Sequence, residues 1–211
     1  MLDNDLTNAT LSEFVKFLFD RPANQTFGEK LWNGDEYVRY NPVHNTELFT
    51  ALFLNSKTLT EGYSRQQCEQ AFWAIQGCLL DGAVSELLWD ADIPFSLRQK
   101  MIESTYCLYR DFFSVDALHT ACNMFFDGLI GVSNEERTSP DQLMMNDVLF
   151  ATLCKILYLE SEDCQAAALH GLNHLKHPNN KVVIMKYIND HPEMCSHEVE
   201  YCLDCIDGNN M

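Results

Sequence analysis

The spacing of the apolar side chains is the feature that most constrains how this chain can fold. Cys68, Phe72, Ile75 and Leu79 follow one another at intervals of four, three and four residues, which places them on one face of an α-helix. Similar spacing recurs along most of the chain, whereas the alternation of a half-buried strand is nowhere convincing. The pattern predicts an all-α protein of about nine or ten helices joined by short connections.

Local start signals support several of these helices. In Thr10-Leu11-Ser12-Glu13 the hydroxyl and the carboxylate can cap the first turn reciprocally. Ser139-Pro140-Asp141-Gln142 combines an N-cap, a proline at the first helical position and a capping box, and it predicts a helix that runs to Leu159. Ser161, followed by two acidic residues, predicts another helix that ends at His177-Pro178.

Short links make sequential helices antiparallel, which gives either a bundle or a solenoid of stacked hairpins. Residues 1–60 fit no repeat unit, and we expect them to form an N-terminal helical cap region. Within that region, residues 21–45 contain several Pro and Gly residues and predict an irregular connection. We expect residues 61–211 to form HEAT-like helical repeats, continuous with the cap region as one structural domain.

A resemblance to known repeat proteins favours the solenoid. The segment 164–175, rich in Ala, Gly and Leu, is followed by Pro178 and the aliphatic segment 182–188, and together they resemble a HEAT-type repeat. With Phe17–Pro22, Phe72-Trp73 and Ala168–Leu172, the chain is similar to uncharacterised bacterial HEAT-repeat proteins. The resemblance implies antiparallel helical hairpins stacked as a HEAT-like (ARM-type) α–α superhelix, and it implies no reaction.

The charge of the chain restricts the kind of partner it can bind. Thirty-one acidic residues against fourteen basic ones give a formal net charge of −17. Binding to nucleic acids or to anionic membranes depends on Lys and Arg, so we expect neither as a partner. A basic protein is the partner that the charge favours, although the same charge can serve solubility alone.

The start of the chain and its cysteines predict a cytoplasmic location. Met1–Asp5 is acidic and lacks the basic and apolar segments of a secretory signal. No stretch approaches the roughly 18 apolar residues of a membrane span. The nine cysteines are scattered and odd in number, which favours reduced thiols in the cytosol.

Three histidines form the clearest candidate for metal chemistry. His170, His174 and His177 lie at positions i, i+4 and i+7, so on a continuous helix they would share one face, with Ala168, Leu172 and Leu175 on the other. Histidines at i and i+4 can bind zinc. Alternatively, these histidines line an exposed or concave surface of a repeat or stabilise the C-terminus of the helix.

Other signatures of catalysis or cofactor binding are weak. The chain contains no GxSxG elbow and no phosphate-binding glycine loop. Cys202-Leu203-Asp204-Cys205 is a lone CxxC pair, and buried thiols explain it better than zinc or redox chemistry. We therefore expect no cofactor.

Acidic and aromatic residues together indicate a protein-binding face. The segment between Arg65 and Arg98 contains five acidic residues and no basic one, and six acidic residues follow Lys186 with no further Lys or Arg. Aromatic side chains anchor protein interfaces, and charge steers association. We expect Trp89 to be exposed beside the pair Asp90 and Asp92, although such a pair also occurs in ordinary turns. The candidate contact residues are Trp89, Asp90, Asp92, His170 and His174.

These features lead to two hypotheses. The first is a non-catalytic protein–protein interaction module that binds a basic partner, in a sharper form an immunity-type protein that neutralises a basic toxin. The alternative is a metal-binding protein or metal-dependent enzyme that uses His170, His174 and His177.

Overall fold

The computed structural model describes residues 2–22, 36–77, 80–131 and 137–207. Most of these residues are helical, so the prediction of a mainly α-helical protein is confirmed. None of the described helices is both long enough and apolar enough to cross a membrane. The described helices are α1 (Leu11–Phe19), α2 (Pro42–Leu54), α3 (Ser56–Leu59), α4 (Arg65–Gln76), α5 (Val84–Trp89), α6 (Phe95–Leu108), α7 (Ala121–Ile130), α8 (Pro140–Leu157), α9 (Glu162–Leu175), α10 (Asn180–Asp190) and α11 (Ser196–Asp207).

Two short strands, which the apolar spacing does not predict, lie near the start of the chain. Strands β1 (Leu2–Asp5) and β2 (Glu36–Arg39) pair in parallel, with Asp5 opposite Arg39. The expectation of an irregular connection over residues 21–45 was therefore wrong at β2 and again at Pro42, where α2 begins. Asn41 starts that helix because its side-chain oxygen accepts a hydrogen bond from the His44 N–H at 3.2 Å. Residues 23–35 lie outside the described part.

The predicted helix caps are confirmed. The Thr10 hydroxyl accepts a hydrogen bond from the Glu13 N–H at 3.3 Å, and the Glu13 carboxylate accepts one from the Thr10 N–H at 2.8 Å. Ser139 and Gln142 make the same reciprocal pair at the start of α8. These caps satisfy N–H groups that have no partner within the helix.

The segment after α6 departs from the predicted pattern. Helix α6 continues as a π-helix over Tyr109–Phe113, so its hydrogen-bonding register changes at Tyr109. The Ser114 hydroxyl donates back to the carbonyl of Arg110 at 2.5 Å. Leu118 then adopts a left-handed conformation with φ of 61°, and α7 begins only at Ala121.

Helix α7 is a central element of the core and lies between α4 and α9. Phe125 and Phe126 are fully buried on α7, and Leu172 and Leu175 of α9 are buried as the sequence predicts. Gly171 lets the helices approach closely, because a Cβ atom there would lie 2.7 Å from Leu153 of α8 and 3.0 Å from the Cβ atom of Phe126. Helix α9 therefore packs tightly against both α7 and α8.

Candidate functional site

Trp89 lies at the end of α5 and is partly buried rather than exposed. Its indole Nε1–H donates to the carbonyl of Leu129 on α7 at 3.0 Å. The guanidinium carbon of Arg137 lies 3.7 Å from the centroid of a Trp89 ring, which is a cation–π contact. These contacts fix the indole against the body of the protein and leave only part of it accessible.

Asp90 and Asp92 form the turn between α5 and α6. The Asp90 carboxylate accepts a hydrogen bond from the Asp92 N–H at 2.9 Å, which is a common way for Asp to stabilise a turn. Asp92 is exposed and Asp90 is half-buried. The structure thus places Trp89, Asp90 and Asp92 side by side, with the carboxylates next to the indole-bearing end of α5.

Part of the acidic segment between Arg65 and Arg98 has a structural role. The Glu69 carboxylate on α4 accepts hydrogen bonds at 2.8 to 3.2 Å from the backbone N–H groups of His119, Thr120 and Ala121 at the start of α7. It also accepts from the Trp73 indole at 3.1 Å. A carboxylate at a helix N-terminus satisfies free N–H groups and interacts favourably with the helix dipole. Glu69 and Trp73 therefore attach α7 to α4 and do not form an open binding face.

His170 and His174 lie one turn apart on α9 and point toward α7. Their rings meet edge to face with centroids 4.6 Å apart. The Nε2 atom of His174 lies 3.2 Å from the Oδ1 atom of Asp127 on α7. One potential ligand atom from each of Asp127, His170 and His174 lies within 4.8 Å of the other two, and all three residues are half-buried.

The environment of His170 favours its neutral form. Burial, together with the neighbouring His174, lowers the pKa of His170, and the negative charge of Asp127 opposes this effect. The Nε2 atom of His170 is buried and has no hydrogen-bond partner among the described residues. A neutral imidazole with a buried, unpaired nitrogen is suited to accept a hydrogen bond or to bind a metal ion.

His177 does not belong to this cluster, so the predicted row of three histidines was wrong at its third position. Helix α9 ends at Leu175, because Lys176 adopts a left-handed conformation with φ of 49°. Beyond that turn the His177 ring stacks on Phe150 with centroids 4.0 Å apart. Its Nε2 atom lies 3.0 Å from the Oδ1 atom of Asp147. Asp127, which belongs to a different helix, takes the place that the sequence assigned to His177.

The CxxC pair near the end of the chain is part of the core. Cys202 and Cys205 are 1% and 0% exposed, and burial raises the pKa of Cys202 to about 11. A thiol with such a pKa is uncharged at neutral pH and unreactive. The interpretation of these cysteines as small apolar residues is confirmed.

A cleft of about 380 Å³ lies between α9, α10 and α11, and we call it the acidic cleft. Three of its lining residues are glutamates, one at the start of α9, one in the connection between α10 and α11, and one on α11. No Lys or Arg is among the described residues that line the acidic cleft. Its lining residues are Glu162, Gln165, Ala166, Leu169, Tyr187, His191, Glu193, Met194, His197, Glu198, Tyr201 and Cys202.

Tyr187 lies among the carboxylates of the acidic cleft. Burial is the largest cause that raises the pKa of Tyr187 to about 12, and the Cys202 thiol and the carboxylates of Glu193, Glu198 and Glu162 add to the same shift. The Tyr187 hydroxyl donates to Gln165 at 2.8 Å, which holds the ring in place. The three glutamates come from separate parts of the chain and line one cavity together with this fixed aromatic side chain.

A second groove, of about 400 Å³, lies beside the π-helix and includes Arg65, Phe112 and Val115. Val115 is 78% exposed. Unlike the acidic cleft, this groove contains charges of both signs that pair with each other, since the Nε atom of Arg65 lies 3.0 Å from the Oδ1 atom of Asp116. This groove could not be predicted from the sequence, because neither the π-helix nor the left-handed Leu118 has a local signature.

Comparison of the chain with protein-family models, curated proteins and solved structures finds no match.

Proposed function

We propose that this protein is a non-catalytic binding module for a basic protein partner, and that the acidic cleft receives a Lys or Arg side chain of that partner. The observation that carries the proposal is that Glu162, Glu193 and Glu198 line one tyrosine-containing cavity whose described lining residues include no Lys or Arg. The net charge of −17 also favours a positively charged partner.

The dimensions and chemistry of the acidic cleft suit a long cationic side chain. Its volume of about 380 Å³ accommodates the aliphatic stem and charged end of Lys or Arg. The partly exposed ring of Tyr201 offers a cation–π contact, and the carboxylates offer charge-assisted hydrogen bonds. Arg fits this combination best, because its planar group can stack on tyrosine and bind a carboxylate in a bidentate manner.

We propose that a large partner also contacts five further residues, which are Trp89, Asp90, Asp92, His170 and His174. Trp89 offers a partly accessible indole beside the exposed Asp92. Aromatic anchors next to charged residues are common at protein interfaces. The affinity for the partner, measured for variants at Trp89 and for variants at the acidic cleft, distinguishes the two surfaces.

We also propose that the helices of the C-terminal half stack as HEAT-like hairpins and that the protein acts in the cytoplasm as an immunity-type protein. The packing of α8 on α9 and of α10 on α11 supports the first point. Thiols at eight described cysteines are compatible with a reducing compartment. An immunity role predicts a one-to-one complex with a basic toxin domain, and toxin activity unaffected by an excess of this protein would contradict it.

The proposal can be tested with a fluorescently labelled Arg- and Lys-rich peptide, using anisotropy to measure its affinity. The test variant replaces Glu162, Glu193 and Glu198 by Gln, which preserves size and hydrogen bonding. We expect at least about tenfold weaker binding, or ~1.4 kcal/mol. We also expect the affinity of the unaltered protein to fall as salt is raised.

A matched control separates the acidic cleft from net charge. It removes the same three charges at exposed glutamates outside the acidic cleft, and it should bind almost as tightly as the unaltered protein. Equal losses in the two triple variants would show that only overall charge matters, and no saturable binding would contradict the proposal. The control substitutions are Glu47→Gln, Glu61→Gln and Glu103→Gln.

A further inference from the structure

We propose that Asp127, His170 and His174 form a binding site for a divalent transition-metal ion such as Zn²⁺, separate from the acidic cleft. Two imidazole nitrogens and one carboxylate oxygen are a common set of protein ligands for such ions. Here one ligand atom from each residue lies within 4.8 Å of the other two.

The packing of α7 against α9 places the three side chains together. Gly171 lies between the two histidines and contacts Phe126, the residue that precedes Asp127, so closely that a Cβ atom would come within 3.0 Å of the Phe126 Cβ atom. This close approach positions the Asp127 carboxylate beside the one-turn pair on α9. The ligands thus stand on two rigid helices whose contact is fixed by buried neighbours.

One distance between ligand atoms already matches that of a zinc coordination sphere. Bonds of about 2.0–2.1 Å to a tetrahedral zinc ion put neighbouring ligand atoms about 3.3 Å apart. The Nε2 atom of His174 and the Oδ1 atom of Asp127 are 3.2 Å apart. The His170 ring, whose centroid lies 4.6 Å from that of His174, supplies a third ligand atom within 4.8 Å of the other two.

The position of His170 is favourable for metal binding. Its Nε2 atom is buried without a hydrogen-bond partner among the described residues, and a metal ion would satisfy it. Three protein ligands leave at least one coordination position for water or another ligand.

Titration of the full chain with Co²⁺ and Zn²⁺ tests the proposal. Absorption of the Co²⁺ complex reports the ligand type, and calorimetry reports zinc stoichiometry and affinity. We expect one site whose Co²⁺ spectrum lacks the near-ultraviolet charge-transfer band of thiolate ligands. His174→Ala and Asp127→Asn should each weaken zinc binding at least about 10-fold, because losing a direct ligand costs no less than losing an outer-shell partner.

Matched controls keep the test decisive. His177→Ala removes a neighbouring histidine that lies outside the cluster and should leave the affinity unchanged. Circular dichroism of each variant shows whether it is folded, and Asp127→Asn keeps the shape of the side chain if His174→Ala fails to fold. The proposal is overturned if the unaltered protein binds no zinc, if His177→Ala weakens binding as much as His174→Ala, or if Cys202→Ser abolishes it. The first result would leave Asp127 and His174 as a polar contact that holds α7 to α9.

Discussion

Replacing Arg98 by Met should destabilise the protein far more than the same change at Arg110. Arg98 on α6 is only 1% exposed, although it carries a full charge. It donates to the carbonyls of Ile93 at 3.0 Å and Leu88 at 3.2 Å, and it makes a bidentate pair with Asp141 at the start of α8. One side chain therefore holds the turn after α5 and the first turn of α8 against α6.

The size of the expected destabilisation follows from the carbonyl groups that lose their hydrogen-bond donor. A hydrogen bond from a charged donor contributes about 1.5–3 kcal/mol, and the Leu88 and Ile93 carbonyls each lose one. Met fills most of the volume and its burial offsets part of the loss. Asp141 regains water, since its side chain is 35% exposed. We expect a net destabilisation of about 2–4 kcal/mol for Arg98→Met.

Urea unfolding followed by far-ultraviolet circular dichroism measures the difference, provided that the slope of the transition is unchanged. Arg110 is the matched control, because it pairs with Asp111 at 2.6 Å but its side chain is 50% exposed. Exposed pairs contribute about 0–1 kcal/mol, so Arg110→Met should remain within that range. Equal midpoints for the two variants would refute the argument that burial makes the Arg98 contacts strong.

Three further predictions concern the same core. Leu172→Ala should cost about 2–5 kcal/mol in the same unfolding assay, because the side chain is fully buried. Gly171→Leu should cost about 1–3 kcal/mol through clashes with Leu153, and a stabilised variant would show that the helices do not touch there. The Arg98 guanidinium holds the pKa of Asp141 below its usual value of 3.8. The stability from this pair is therefore complete above that pH and lost as the pH falls below it, so acid unfolding of Asp141→Asn should show a weaker pH dependence.

The sequence predicts those parts of the fold that local chemistry determines. The capping pairs of Thr10 with Glu13 and of Ser139 with Gln142 are signals a few residues long, and the structure confirms both. Strand β1 was missed because Leu2-Asp3-Asn4-Asp5 has neither alternation nor β-favouring residues. Its pairing with β2 depends on a segment more than thirty residues away in the chain. The burial of Arg98 could not be predicted from local sequence either, since its partner Asp141 lies on another helix.

The same distinction applies to the candidate sites. The i, i+4 spacing of His170 and His174 predicts their juxtaposition, because one helix determines it. The end of α9 before His177 depends on Lys176, which gives no clear stop signal because residues other than Gly rarely adopt that conformation. Asp127 could not be predicted, since its position depends on how α7 packs against α9. The acidic residues after Lys186 do predict a negative surface, but Glu162 joins it from α9.

The most direct test of the central proposal follows the ring signals of Tyr187 and Tyr201 by nuclear magnetic resonance during titration with an Arg-rich peptide. If the acidic cleft binds the cationic side chain, these two tyrosines should show saturable shifts. The shifts should disappear when Glu162, Glu193 and Glu198 are replaced by Gln. Saturable binding that leaves both tyrosines unchanged and instead shifts Trp89 would contradict the assignment to the acidic cleft.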